Sequence, residues 1–219
     1  SAGSDLKVTD NMTFNASSEQ ILTGAADLNL LGGFVMQDGL VSSTGGLVSL
    51  EKGGEQSDGS LDVSGSTLKL GDDFSKTAGT LTTTIDGTTL ELAQSLTLTS
   101  DTSLGVKTLK SNDKTLTLGS ESTDLTVSDP LTLNDSGEQI LTKSADLILN
   151  GLLTMSNGQF SSDNGTVTFN GGLTQSGGEF YLESTVLVLG ADVNKTGGTL
   201  QTLATSFTAI SSLTISSNS

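Results

Sequence analysis

Apolar residues recur along the chain in short alternating groups. Leu28-Asn29-Leu30, Leu68-Lys69-Leu70 and Val167-Thr168-Phe169 each place two apolar side chains on one side of an extended segment. This period of two is typical of short β-strands. Asn-Gly, Gly-Gly, Asp-Gly and Ser-Gly pairs separate the groups, and such pairs favour turns that need a positive φ. The pattern therefore predicts an all-β protein built from many short strands.

The apolar groups also repeat at a longer step of about 20 residues. Three short strands in each step predict a parallel β-solenoid (β-helix) of roughly triangular section, whose inward side chains form columns along the axis. At this step the chain would make about eleven coils, and at about 4.8 Å per coil the rod would be about 53 Å long. The predicted core columns are Ile21, Val41, Leu61 and Leu81; Ile140, Phe160, Phe180 and Leu200; Leu28, Val48 and Leu68; and Leu147, Val167 and Leu187.

A still longer repeat shows that the chain is a tandem duplication. Residues 18–28 match residues 137–147, and the same offset of 119 residues holds without a gap from Asp5 and Asp124 to Leu81 and Leu200. We divide the chain into a first unit, residues 1–119, and a second, truncated unit, residues 120–219, continuous with the first. With 20 residues per coil, the offset corresponds to six coils less one residue.

The coil pattern loosens between Leu90 and Leu118. Leu104, Val106 and Leu109 fit more than one face of the predicted solenoid. We expect an irregular coil or a protruding loop there, around residues 111–114.

The composition excludes several classes of function. The chain has no Cys, His or Trp, and 25 acidic against 9 basic residues give a net charge of −16. Disulfide scaffolds, zinc sites with Cys or His ligands and Ser-His-Asp or Cys-His catalysis are therefore excluded, and we do not expect an enzyme. Nucleic-acid binding is not expected either, because phosphate contacts need clustered Lys and Arg. No apolar run reaches about 18 residues, so we expect no membrane span.

Calcium is the ion best suited to the acidic side chains, since carboxylates and turn carbonyls are its usual ligands. Asp72 and Asp73, which follow Gly71, form the best single candidate for a metal site. The second unit has Gly190-Ala191-Asp192 at this position, so the pair is not repeated. We expect no other cofactor.

The ends of the predicted solenoid suggest self-assembly. Leu6-Lys7-Val8-Thr9 matches the internal segment Leu125-Thr126-Val127-Ser128, and Leu213-Thr214-Ile215 resembles the internal Leu96-Thr97-Leu98. Leu6, Val8, Leu213 and Ile215 would then lie on strand edges that look like internal ones. Head-to-tail contacts between such edges need not close and would form a filament, a homopolymer of this chain.

The repeats also resemble the β-helical stalks of bacterial secreted adhesins of the filamentous-haemagglutinin and autotransporter-passenger type. The resemblance rests on short strands with glycine corners, as in Asn170-Gly171-Gly172-Leu173-Thr174 and Thr196-Gly197-Gly198-Thr199-Leu200. Those families are surface-exposed spacers or adhesins, so the resemblance leaves open a cell-surface or carbohydrate receptor. The acidic composition, rich in Ser, Thr, Gly and Asn, also favours an extracellular or cell-surface location, and we expect a bacterial or archaeal protein. Two functions follow as hypotheses: a structural fibre subunit, or a stalk or binding segment of a larger surface adhesin.

Overall fold

The computed structural model describes residues 5–71, 74–98, 103–119, 121, 123–209 and 213–215. In these residues the regular structure consists of 31 short β-strands, and no helix is present. Most strands are three to five residues long, because turn-forming Gly, Asn, Asp and Ser interrupt the apolar alternation every few residues.

The first ten strands are β1 (Leu6–Val8), β2 (Met12–Phe14), β3 (Gln20–Gly24), β4 (Leu28–Leu30), β5 (Phe34–Met36), β6 (Leu40–Ser43), β7 (Leu47–Leu50), β8 (Gly54–Gln56), β9 (Ser60–Asp62) and β10 (Thr67–Leu70). The next ten are β11 (Phe74–Lys76), β12 (Thr80–Thr82), β13 (Thr89–Leu92), β14 (Leu96–Leu98), β15 (Leu104–Val106), β16 (Thr108–Lys110), β17 (Thr115–Leu118), β18 (Leu125–Val127), β19 (Leu131–Leu133) and β20 (Gln139–Thr142). The remaining strands are β21 (Leu147–Leu149), β22 (Leu153–Met155), β23 (Gln159–Asp163), β24 (Thr166–Phe169), β25 (Leu173–Gln175), β26 (Glu179–Glu183), β27 (Val186–Leu189), β28 (Val193–Lys195), β29 (Thr199–Leu203), β30 (Ser206–Ala209) and β31 (Leu213–Ile215).

Apart from β12, β16 and the last three strands, each strand pairs in parallel with the third strand after it, which confirms the predicted parallel β-solenoid. Face 2 is one ten-stranded sheet, β2-β5-β8-β11-β14-β17-β20-β23-β26-β29. Faces 1 and 3 are each divided into two sheets. Face 1 consists of one sheet from β1 to β16 and another from β19 to β31, and face 3 consists of one sheet from β3 to β12 and another from β15 to β30. The 31 strands make ten coils of three strands and one further strand, close to the expected eleven.

The ladder registers align the apolar columns along the axis. Leu28, Val48 and Leu68 are successive partners on face 1, and Leu90 and Leu109 extend the column. Phe160 and Phe180 are successive partners on face 2, with stacked rings 4.8 Å apart. Of the columns named above, Ile21 and Leu200, which lie in the terminal coils, are half-buried, and the other members are buried. Burial of these columns is the main source of stability, because the apolar surface is removed from water.

The two repeat units are rotated relative to each other about the axis. Equivalent strands such as β3 and β20 are 17 strands apart, and they lie on faces 3 and 2 respectively. The interpretation of 119 residues as six coils less one residue is therefore wrong, since six coils would need 18 strands. Several coils take more than 20 residues, for example 22 from Thr67 to Thr89 and 24 from Thr115 to Gln139, so fewer strands fill the offset.

An inward-facing polar column, buried except at the half-buried Lys195, supports the corner that follows it. Gln56 and Lys76 are inward-facing ladder partners in the first unit, and Gln175 and Lys195 are their equivalents in the second. The Nε2 of Gln175 donates to the carbonyl of Thr199 at 2.9 Å, and the Nζ of Lys195 donates to the carbonyls of residues 197 and 198 at 2.9 and 2.7 Å. These polar residues replace apolar ones because the corner turns carbonyls inward, and a buried carbonyl without a donor is costly.

The irregular region contains a tight turn. β15 and β16 are separated by a single residue, Lys107. After β16, the backbone N–H of Lys114 donates to the carbonyl of Ser111, and Asn112 and Asp113 adopt positive φ values of 50° and 62°. Ser111 is buried and Asn112 and Asp113 are exposed, so the segment is a short irregular turn, held to the preceding coil by the Nδ2 of Asn112, which donates to the carbonyl of Leu92 at 3.0 Å.

Candidate assembly surfaces at the two ends

At the N-terminal end, the inward columns begin with incompletely covered side chains. Among the described residues, β1, β2 and β3 each pair with one strand only, the third strand after it. Leu6, an inward residue that pairs with Leu28, is 39% exposed, and Val8, Met12 and Ile21 are half-buried. The first coil therefore presents three strand edges around a partly open apolar core.

The second unit shows how an equivalent coil is covered. Its counterparts of Leu6, Val8, Met12 and Ile21 are fully buried: Leu125, Val127, Leu131 and Ile140. β18 pairs with β15, and β20 pairs with β17, so a preceding coil lies against this one. The same local sequence thus has two environments, one covered by a coil and one exposed.

At the C-terminal end, the core opens into a cavity of about 210 Å³. In the part of the chain that the structure describes, β29 and β30 each pair on one side only, with β26 and β27 respectively. Phe207 is an inward residue that pairs with Leu187, yet its side chain is 49% exposed. The cavity is lined by Leu173, Phe180, Leu187, Leu189, Val193, Leu200, Thr202 and Phe207.

The four residues that we expected at strand edges lie in the first and last strands. Leu6 and Val8 form the ends of β1, and Leu213 and Ile215 form the ends of β31, which pairs with β28. Sequence reasoning did not assign Phe207 to the end surface. The signal was available, because Phe207 is the last member of the column that contains Leu147, Val167 and Leu187.

The candidate calcium ligands Asp72 and Asp73 lie outside the described residues. Within the described ranges, no group of three or more acidic side chains is arranged to hold a metal ion. Recurrent acidic residues instead bond to the backbone of the next coil: Asp27 accepts from the N–H of Leu47 at 2.8 Å and Asp146 from that of Thr166 at 2.6 Å. Such carboxylates satisfy corner N–H groups that would otherwise lack an acceptor.

A polar cleft lies where face 1 is interrupted, between β16 and β19. Its most buried carboxylate, Glu138, accepts from the hydroxyl of Ser111 and from the backbone N–H of Asn134, both at 2.6 Å. The backbone N–H of Gly137 donates to the Asp135 carboxylate, which lowers the pKa of Asp135. The carboxylates of this cleft therefore hold the loop between β19 and β20 in place.

No protein family, curated protein or solved structure matches this chain. Within the part of the chain that the structure describes, no helix has the length and hydrophobicity needed to cross a membrane.

Proposed function

We propose that this chain is an extracellular structural protein, a rigid β-solenoid subunit that assembles head to tail into a fibre. The observation that supports the proposal is the incomplete burial of the inward columns at both ends, with Leu6 39% and Phe207 49% exposed. In the middle of the rod the same columns are buried. A second copy stacked on either end would continue both the columns and the parallel ladders.

The internal junction supports the direction of this contact. β18 and β20 repeat the sequences of β1 and β3, and each stacks in parallel on a preceding strand of the same chain. In a parallel solenoid every coil has the same polarity, so the N-terminal edge of one copy is complementary to the C-terminal edge of another. The contact is heterologous and leaves the opposite ends free, which permits growth of a fibre.

The expected affinity is modest. Full burial of the partly exposed apolar side chains at the two ends would stabilise the contact by on the order of 1 kcal/mol each. These side chains are Leu6, Val8, Met12, Ile21, Leu200 and Phe207. Association costs about 4–15 kcal/mol in translational and rotational freedom, and new backbone hydrogen bonds offset part of that cost. The net charge of −16 adds repulsion between copies, which salt screens. Assembly should therefore increase with protein concentration and with ionic strength.

We expect filaments with an axial repeat of about 50 Å, the height of ten coils at about 4.8 Å each. Negative-stain electron microscopy and sedimentation velocity across a concentration series measure this. Leu6→Glu and Phe207→Glu should each abolish filaments, because each places a charge in one end surface. An equimolar mixture of the two variants should form dimers, since each keeps the end that the other lacks.

Leu152→Glu is the matched control, because Leu152 is a 38% exposed leucine at a corner between β21 and β22, away from both ends. It should form filaments like the unaltered chain. Single rods at every concentration and salt level would contradict assembly, and filaments that survive both end variants would place the contact elsewhere.

The second candidate function is that of a stalk or binding segment in a larger surface adhesin, similar to the filamentous-haemagglutinin type. The observation that favours it is the ten-stranded sheet of face 2, which continues from the first repeat unit into the second. Further copies joined in one chain would extend the rod in the same way. Isolated rods in the experiment above would favour this alternative, with the two end surfaces covered by adjoining chain.

A further inference from the structure

The outer surface of face 2 carries a polar groove in the second repeat unit. Gln139, Gln159, Glu179 and Thr199 are successive ladder partners, so their side chains form one column about 4.8 Å apart. With Ser136, Asn157 and the corner glycines they line a groove of about 430 Å³. The groove runs along the solenoid axis and crosses four successive coils.

An aromatic residue stands in the next outward column. Tyr181 lies two residues after Glu179 on β26, on the same side of the strand, between Ser161 and Gln201. Its ring is half-buried, and its hydroxyl donates to the carboxylate of Glu183 at 2.8 Å. The hydrogen bond fixes the ring orientation beside the groove.

The first repeat unit provides an internal comparison. The equivalents of Gln159, Glu179 and Tyr181 are Leu40, Ser60 and Asp62. The inward neighbours remain apolar in both units, with Leu61 in place of Phe180. Gln139 has a glutamine, Gln20, at its equivalent position. Gln159, Glu179 and Tyr181 therefore distinguish the outer surface of the second unit, whereas the core has kept its apolar character.

The chemistry of this surface favours a sugar chain over a polypeptide. β23 and β26 are paired on both sides, so an extended peptide has no free edge to which it could add as a strand. Side chains must hold the ligand, and glutamine and asparagine amides both donate and accept, as sugar hydroxyls do. An aromatic ring offers an apolar face with a polar tip, which suits the face of a pyranose ring.

The charge of the surface specifies the sugar further. Asp163, Glu179 and Glu183, on β23 and β26, are acidic. We propose that the groove and Tyr181 bind a linear amine-bearing glycan, a chain of hexosamine units with free amino groups. The amines would pair with Glu179 and Glu183, and the hydroxyls with the glutamine column. The groove reaches the terminal strand β29 through Thr199, but it lies on the outer surface of face 2, and the proposal does not depend on fibre assembly.

The sole tyrosine of a chain without tryptophan makes binding directly measurable. We expect a glucosamine hexamer, at mildly acidic pH, to change the Tyr181 fluorescence saturably, and calorimetry to give one site per chain. Glu179→Gln and Tyr181→Asp, which introduces the residue found at the equivalent position of the first unit, should each weaken binding at least tenfold by calorimetry, since Tyr181→Asp removes the fluorescent side chain. Asp62→Ser, at the equivalent position of the first unit, is the matched control and should leave the affinity unchanged.

Three comparison ligands decide the outcome. The fully N-acetylated hexamer and a neutral glucose hexamer should bind at least tenfold more weakly, because they lack the amine. Oligolysine that binds as tightly as the glucosamine hexamer would overturn the proposal, since the surface would then attract any polycation. Absence of saturable binding at millimolar ligand, with an unchanged circular dichroism spectrum, would overturn it as well.

The hydrogen bond between Tyr181 and Glu183 has its own test. Donation to the Glu183 carboxylate favours the neutral phenol and raises the pKa of Tyr181 above its ordinary value, and the negative charges of Glu183 and Asp163 add to the shift. Glu183→Gln should therefore lower the pKa of Tyr181. An alkaline titration followed by phenolate absorbance measures this without interference from another tyrosine, and an unchanged midpoint would contradict the contact.

Discussion

Leu147→Asp is expected to lower the free energy of unfolding by about 4 kcal/mol, the loss typical of an unpaired charge in a core. Leu147 is fully buried and its ladder partners are the buried Leu125 and Val167. An aspartate there would enter an apolar column with no cation beside it, and its desolvation would not be compensated. For a chain of this size the melting temperature should fall by roughly 10 °C.

Ile148 provides the matched control for this variant. It is the next residue on β21, points outward and pairs with Thr126 and Thr168. Ile148→Asp should cost less than about 1 kcal/mol, because the carboxylate remains in contact with water. Thermal and urea unfolding followed by circular dichroism compare the two variants. Equal losses would contradict the assignment of inward and outward positions.

Gly178→Ala is expected to destabilise the chain by about 3 kcal/mol or more, which combines a left-handed backbone with overpacking. Gly178 has a φ of 70°, and an added Cβ would lie 2.5 Å from the carbonyl oxygen of Asn157 and 2.7 Å from that of Gly158. Both contacts are with backbone of the preceding coil, so the alanine would separate two stacked coils. The melting temperature and the urea midpoint measure the loss.

Gly24→Ala isolates the backbone contribution. Gly24 has a similar φ of 58°, but no atom lies within 4 Å of the position that a Cβ would take. This variant should lose only the cost of a left-handed alanine, about 1–2 kcal/mol. If the two glycine variants lost the same stability, close stacking at the corner would not be the reason for glycine there.

Much of the architecture follows from the sequence because a solenoid is built from local rules. Each coil contacts only its neighbours, so the alternation in segments such as Leu147-Ile148-Leu149 and the recurring corner glycines already specify strand, turn and stacking partner. The pairing of Ile140 with Phe160, and of Phe160 with Phe180, follows from the 20-residue step alone. The sequence also predicts the first strand, since Leu6 and Val8 repeat as Leu125 and Val127 in the second unit.

The positions that sequence reasoning missed depend on features that a repeat pattern does not encode. Gln56 and Gln175 have the polarity of surface residues, yet both are buried. Each donates to a corner carbonyl that points inward, and only the folded backbone fixes the direction of that carbonyl. The repeat pattern does not place Glu179 and Tyr181 in a site, because the groove exists only once Gln139, Gln159 and Thr199 stack beside Glu179.

The sequence by itself determined the all-β class, the inward columns and the duplication, since these depend on periodicity and on side-chain hydrophobicity. Only the tertiary structure decided how the two units are oriented. Whether 119 residues make 17 or 18 strands depends on how many residues each corner takes, and coils of 22 and 24 residues rotate the second unit onto different faces. That rotation places β20, β23, β26 and β29 on the continuous face 2, where the groove lies, whereas their first-unit equivalents lie on face 3. The physical reason is that hydrophobic columns fix the direction of each side chain, but the length of the turns between strands fixes the face on which each strand falls.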